Sequence, residues 1–241
     1  MPKTNLGRSL LSLIMPIECL GCGAESDWIC RDCRRDIRTQ REDLCFCGKV
    51  GEDGLCAKHR EKLGLDGLTT LFSYAEPAIR ELIHQVKYRG HTDAVTFFAW
   101  QYQKKVLARL PRGGSSTSSE FPRPESWGDW VVTAVPLSRQ RQRERGFNQS
   151  ALFAKRLAEP VYDYVELLIK KRETKPQVKL NKTRREKNLL RSFAIKPGVE
   201  MPEQVIIVDD VITSGSTLKE AAKVLRKAGV QQIWALTIAH G

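Results

Sequence analysis

The sequence predicts an α/β protein, a parallel sheet flanked by helices, with a small cysteine-rich module in front of it. Three observations predict it. From Leu68 onward, short runs rich in β-branched residues alternate with amphipathic helical segments. All seven cysteines of the 241 residues lie before position 57. The apolar run Val205–Val208 leads into two acids and a turn of small hydroxylated residues, with a helical pattern behind it. Strands alternating with helices imply a parallel sheet covered on both faces. A chain of this length supports one good core with an appendage, or two small domains. A hydrophobic share of 41% supplies that core and argues against wholesale disorder.

Residues 1–62 form the module. They hold every cysteine and few apolar residues at a regular period, so the segment cannot build a core alone. The early run Leu10–Ile17 is too short to span a bilayer, lacks a small-residue cleavage site and reads as a short docking helix. The expectation is a soluble, cytoplasmic protein with no membrane insertion. An odd number of clustered cysteines speaks against a disulfide framework and for metal. Cys19-x2-Cys22-x7-Cys30-x2-Cys33 has the spacing of two knuckles around a tetrahedral Zn²⁺. Cys45-x-Cys47 and Cys56-x2-His59 form a second group. Its single-residue spacing is awkward for a knuckle, and His59 must serve as fourth ligand; the alternative is a loop with free thiols. Neither group looks catalytic, because a closed four-ligand site leaves no position for water.

The larger domain is expected over residues 68–241. Leu71–Tyr74 suits a short strand. Ala78–Tyr88 suits a helix with Ile79, Leu82, Ile83 and Val86 on one face, and Ala94–Leu110 a second helix closed by Pro111. Pro111–Trp127 is rich in Pro, Gly and Ser and reads as a disordered surface insertion. Trp130–Val135 is a strand, Ser150–Leu157 a helix, and Val161–Ile169 has room for a short strand. Arg172–Leu190 is basic and without periodicity, as in a long loop or arm. Val205–Val208 is a buried strand. Thr217–Ala228 is a helix stopped by Gly229, and Ile233–Ile238 is the last strand.

The segment Val205–Thr217 carries the chemistry. Asp209 and Asp210 emerge at a carboxyl strand end, where open α/β sheets bind ligands. The helix start behind them presents unsatisfied N–H groups suited to a phosphate dianion. Thr213, Ser214, Ser216 and Thr217 add hydroxyl donors, and Gly215 lets the backbone approach the ligand. The acids would repel a phosphate; they suit the two hydroxyls of a ribose, directly or through Mg²⁺. Phosphate and ribose together point to 5-phosphoribosyl 1-pyrophosphate. Here the chain resembles the type I phosphoribosyltransferases, whose signature is four apolar residues, two acids and a Thr/Ser-Gly phosphate loop.

Net charge is +12, and the stretch Arg139–Lys196 holds nearly all of it, with 17 lysines and arginines against 6 acids. Such a field favours a polyanion. Four arginines, Arg139, Arg141, Arg143 and Arg145, fall on alternate residues before Gly146-Phe147-Asn148-Gln149. The blocks LIHQVKYRG, RERGFNQSALFAKRLA and KRETKPQVKLNKTRREKN resemble the ComF family over nearly the whole chain outside the insertion. That resemblance implies a zinc module ahead of a phosphoribosyltransferase-type domain, and a link to DNA uptake during natural transformation. Arginine pairs its N–H donors with a pyrophosphate leaving group as it departs. Arg145 and Asn148 are the candidates beside the leaving group, and Arg172, Gln177 and Arg184 the candidates on an arm that closes over it. Catalysis would rest on Asp209, Asp210 and Arg145. The same basic stretch could grip single-stranded DNA or serve a competence-machinery protein, making the protein a non-catalytic sensor or binding module; its aromatics are sparse for a stacking platform. His84 and His91 receive no role.

Overall fold

A computed structural model of the chain describes residues 17–41, 43–106, 130–159, 162–171 and 192–241, with residues 103–106 as backbone alone. The cysteine-rich module contributes two short helices, α1 (Arg31–Asp36) and α2 (Ala57–Leu63). The chain then runs through β1 (Gly67–Ser73), α3 (Pro77–Arg89), a 3-10 turn (Thr92–Ala94), α4 (Val95–Val106), β2 (Val131–Ala134), α5 (Arg139–Arg145) and α6 (Gln149–Ala158). It continues through β3 (Asp163–Tyr164), β4 (Leu168–Lys170), β5 (Phe193–Ile195), β6 (Gln204–Ile212), α7 (Ser216–Lys227) and β7 (Gln232–His240). Five strands form one sheet in the order β1-β7-β6-β2-β3, and every neighbouring pair is parallel. Strands β4 and β5 make a separate antiparallel pair.

The expected α/β architecture is therefore the observed one, with four local differences. Strand β1 begins at Gly67 rather than Leu71, because the β-branched pair Thr69 and Thr70 lengthens it toward the N-terminus. Gly67 fits there because Trp234 of the neighbouring strand lies 2.4 Å from where a Cβ would stand. The helix expected over Ala94–Leu110 opens with the 3-10 turn and is described to Val106; the Pro111–Trp127 insertion lies outside the described residues. The alternating arginines, to which the sequence assigned no element, form a helix of their own. Ser138 caps it by accepting from the Arg141 N–H at 3.3 Å, and Gly146 closes it in the left-handed conformation at φ 77°. Strand β6 continues past Val208 through both acids, because β7 runs beside it until Ile212 lies opposite His240.

Each face of the sheet has its own core. On one, Ile206 and Val208 of β6 pack with Ile79, Leu82, Ile83 and Val86 of α3, and with α4 and α6. On the other, Val205 and Ile207 pack with Leu218, Ala221, Ala222 and Leu225 of α7. This is the alternation that a doubly covered strand requires. The module joins both cores. Ile29, with Leu20 and Trp28 beside it, belongs to the first; Cys45, Leu55, Cys56 and Leu63 belong to the second. Between them the chain crosses the edge of β1, where Thr39 bridges Phe72 and the Gln40 N–H donates to the Leu71 carbonyl at 2.7 Å. A segment too poor in apolar residues for its own core thus borrows two. Among the described residues no helix is long and apolar enough to cross a membrane.

Candidate functional site

Strands β2 and β6 are neighbours whose following helices cover opposite faces: α6 packs in the first core and α7 in the second. Chains that leave adjacent parallel strands in opposite directions open a crevice beyond the carboxyl ends. The last paired residues of β2 and β6 are Ala134 and Val208, so Asp209 and Asp210 stand at the mouth of that crevice.

The acid pair is held from several sides. Asp209 Oδ1 accepts from the Ser150 hydroxyl at 3.2 Å and from the Asp210 N–H at 2.8 Å. Burial, then the charge of Asp210, push Asp209 up to about 7, against the pull of the Asp210 N–H, Lys87 and Ser150. Asp210 Oδ2 meets the Lys87 ammonium at 2.7 Å, with both side chains mostly buried. Lys170 of β4 lies within reach of the same field. Burial and the charge of Arg141 lower its pKa, while Asp209 raises it. Two adjacent carboxylates in a partly desolvated site are an oxygen-donor set that suits Mg²⁺.

The loop after β6 leads straight into α7. Gly215 is the N-cap of α7, in the left-handed conformation at φ 72°, and no side chain caps the helix there. The Ser214 and Ser216 hydroxyls are 2.7 Å apart. Thr213 is exposed, and Ser214, Ser216 and Thr217 are half-buried beside it. The structure therefore brings all five loop candidates together at the start of one twelve-residue helix, next to the acids. Gly215 is tightly backed: a Cβ there would stand 2.7 Å from Leu63 Cδ2 of α2.

The arginines divide by helix face. Residues i and i+4 share a face, so Arg141 goes with Arg145 and Arg139 with Arg143. Arg145 donates to Gln149 Oε1 at 2.8 Å and lies over the Tyr88 ring, 5.2 Å from its centroid. Asn148 is the N-cap of α6. Its Oδ1 accepts from the Ser150 N–H at 3.1 Å and its Nδ2 donates to the Val135 carbonyl at 2.9 Å. It thus ties the end of β2 to the helix that carries Ser150. Arg172, Gln177 and Arg184 lie outside the described residues. Sequence reasoning missed Lys87, Ser150 and Leu63. Only Lys87 left a local trace, as a cation in the last turn of a helix that ends near the crevice. His84 hydrogen-bonds Tyr74 at 3.0 Å, and His91 packs on Trp28.

Both cysteine groups converge. In Cys19, Cys22, Cys30 and Cys33, and in Cys45, Cys47, Cys56 and His59, the ligand atoms of each group lie within 4.8 Å of one another. Backbone N–H groups of Cys30 and Gly21 point at Cys19 Sγ, at 3.2 and 3.4 Å. Burial alone would raise the Cys19 thiol, but such donors hold it at about 6, favouring the thiolate that metals bind. In the second group His59 Nδ1 sits 3.3 Å from Cys45 Sγ and 3.4 Å from Cys56 Sγ. Despite the short Cys45-x-Cys47 spacing, both sets can hold a tetrahedral Zn²⁺.

Comparison with known proteins agrees with this geometry. A family model described as "Phosphoribosyl transferase domain" matches residues 148–241. The DNA utilization protein YhgH of Salmonella typhi is 32% identical over 226 residues, which cover 88% of this chain and 92% of that protein. Competence protein F of Haemophilus influenzae is 28% identical over 232 residues, 86% of this chain and 95% of that one. Competence protein ComFC of Streptococcus pneumoniae is 32% identical over 204 residues, 84% and 77% of the two chains. With a parallel sheet, a phosphoribosyltransferase-type domain and full-length similarity of this order, the chain belongs to the ComF family.

Proposed function

We propose that the crevice binds 5-phosphoribosyl 1-pyrophosphate with Mg²⁺, and that the protein transfers the phosphoribosyl group to an acceptor with release of pyrophosphate. The observation that carries this reading is the continuous run from β6 to α7. Two acids suited to ribose hydroxyls and Mg²⁺ lie directly before a hydroxyl-rich turn whose uncapped helix N-terminus suits the 5-phosphate. Mg²⁺, when bound to these carboxylates, offsets the negative charge of the pyrophosphate. Arg145, stacked on Tyr88, is placed to add its guanidinium on the leaving-group side, with Arg172, Gln177 and Arg184 following from the arm. Asn148 contributes by fixing the α6 start that presents Ser150 to Asp209.

The two cysteine groups hold one structural Zn²⁺ each, and the free, clustered thiols suit the reducing cytoplasm. Relatives named for competence and DNA utilization support a role of this site in handling incoming DNA. One observation favours a second, non-catalytic reading: Arg139, Arg141 and Arg143 are all exposed on α5, a basic surface open to single-stranded DNA or a protein of the uptake machinery.

Calorimetry with Mg²⁺ and phosphoribosyl pyrophosphate tests the site. Wild type should bind and Asp210→Asn should lose binding with its zinc content unchanged; unaltered binding in the variant would refute the assignment. Pyrophosphate release with a panel of nucleobases, amines and nucleic acids then separates the two readings. No turnover despite tight binding leaves the non-catalytic one. A salt titration of DNA retention decides whether α5 grips DNA, since phosphate contacts weaken steeply with salt.

A further inference from the structure

We propose that Lys87 is an internal counter-ion that holds Asp210 while the crevice lacks ligand, gives that carboxylate up to the metal, and then turns to the phosphate oxygens. The inference rests on the reading of the crevice as a site for phosphoribosyl pyrophosphate with Mg²⁺.

Helix α3 docks on the sheet through Ile79, Leu82, Ile83 and Val86, and Gly90 ends it in the left-handed conformation. Lys87 falls in its last turn, beside Val86, at the carboxyl end of the sheet. Asp210 faces the side of the sheet that α3 covers, where Ile83 and Val86 of that helix line the small space beside it. The two groups meet at 2.7 Å, with side chains 15% and 19% exposed. An ammonium so far from water needs a partner, and so does a carboxylate adjacent to a second carboxylate. The pair meets both needs without any bound metal.

The surroundings set the direction in which it can open. A cavity of about 10 Å³ beside the pair is lined by Lys87 and Asp210 themselves, by Gln149, and by Ile83, Val86, Val95, Phe98 and Ile238. It has no room for the Lys87 ammonium to move into, since a volume of this size admits at most one water. Lys87 therefore cannot withdraw inward. If a cation displaces it from Asp210, its ammonium must swing outward, into the crevice. There the next residue, Tyr88, carries the Arg145 guanidinium on its ring. Two cations from α3 and α5 would then face the same anionic ligand. One lysine thus does two things: it keeps the free acid pair from capturing a divalent ion alone, and it adds a positive charge once ligand and metal arrive together.

A merely structural lysine predicts only losses on substitution; a competing counter-ion predicts one gain. In zinc-loaded Lys87→Met, Mn²⁺ measured by paramagnetic relaxation without phosphoribosyl pyrophosphate should bind about tenfold tighter than in wild type, because the internal competitor is gone. Calorimetry should show the Mg²⁺-dependent affinity for phosphoribosyl pyrophosphate falling by about the same factor, because a phosphate-facing charge is lost. Wild type gives an independent arm that needs no variant. The Lys87 amine, followed by peptide mass spectrometry, should resist reductive methylation in the free protein and become reactive with Mn²⁺ alone. Unchanged Mn²⁺ affinity in the variant, or a Lys87 amine that is reactive from the start, would overturn the proposal. Failure of wild type to bind phosphoribosyl pyrophosphate would instead sink the reading of the crevice, while the Mn²⁺ and methylation arms still decide whether Lys87 guards Asp210.

Discussion

Gly215 and Asp209 show how much one atom or one charge can matter here. A methyl group at Gly215 meets two obstacles: the backbone at φ 72° and Leu63 Cδ2 at 2.7 Å. Strain in the left-handed region alone costs about 1–3 kcal/mol. Gly215→Ala should lower stability by at least that much, and less so in a Leu63→Ala background, where the steric part is gone; urea melts of the double-mutant cycle would read the difference. Asp209 governs a pH dependence. Its folded-state pKa, raised to about 7 from 3.8 by burial and by Asp210, means that the protonated form suits the fold. The stability this confers is complete below about 4 and is lost as pH rises through about 7. Asp209→Asn should therefore gain on wild type between pH 5.5 and pH 8, by on the order of 1–3 kcal/mol in urea melts. Of these residues, Asp209 and Gly215 were legible in the sequence because strand, acids and turn are contiguous. Leu63, Ser150 and Lys87 were not. Ser150 reaches Asp209 across 59 residues of chain, and no local period marks a contact of that kind.

Among the elements, α2 links two sites that the sequence treats separately. His59 lies in its first turn, with Nδ1 turned to Cys45 and Cys56. Leu63 stands one turn later, about 6 Å along the axis, and backs Gly215 at the start of α7. A helix of seven residues is marginal without tertiary support, so a metal at its start is well placed to keep its end in position. His59→Ala should thus release one zinc equivalent and also weaken binding of phosphoribosyl pyrophosphate several-fold, though His59 touches no ligand. Leaving the affinity intact would show α2 to be held by packing alone. Strand α/β periodicity made β6, α7 and α3 readable from the sequence. The arginine segment was harder: four cations on alternate positions carry no helical period, and only the Ser138 cap and the Gly146 stop reveal the two-turn helix that separates Arg145 from Arg139.

Over the whole molecule, the first cysteine group sits with the core that contains α3 and α4, the second with the core that contains α7. Between them, Thr39 and Gln40 cover the outer edge of β1. An uncovered edge strand invites pairing with another chain. A chain beginning at Leu68 should therefore aggregate, a result that size-exclusion chromatography would show directly; a well-behaved monomer would mean the sheet needs no cover. Composition marked residues 1–62 as distinct, but composition carries no information about which core a segment joins. The contact of Leu63 with Gly215 has one more consequence, and it runs backward. Coupling between two binding events is reciprocal: if metal at Cys45, Cys47, Cys56 and His59 steadies the phosphate loop, an occupied loop must steady the metal by the same factor. Added phosphoribosyl pyrophosphate and Mg²⁺ should then slow the loss of one zinc to a chelator, so that the protein keeps its metal best when its ligand is plentiful.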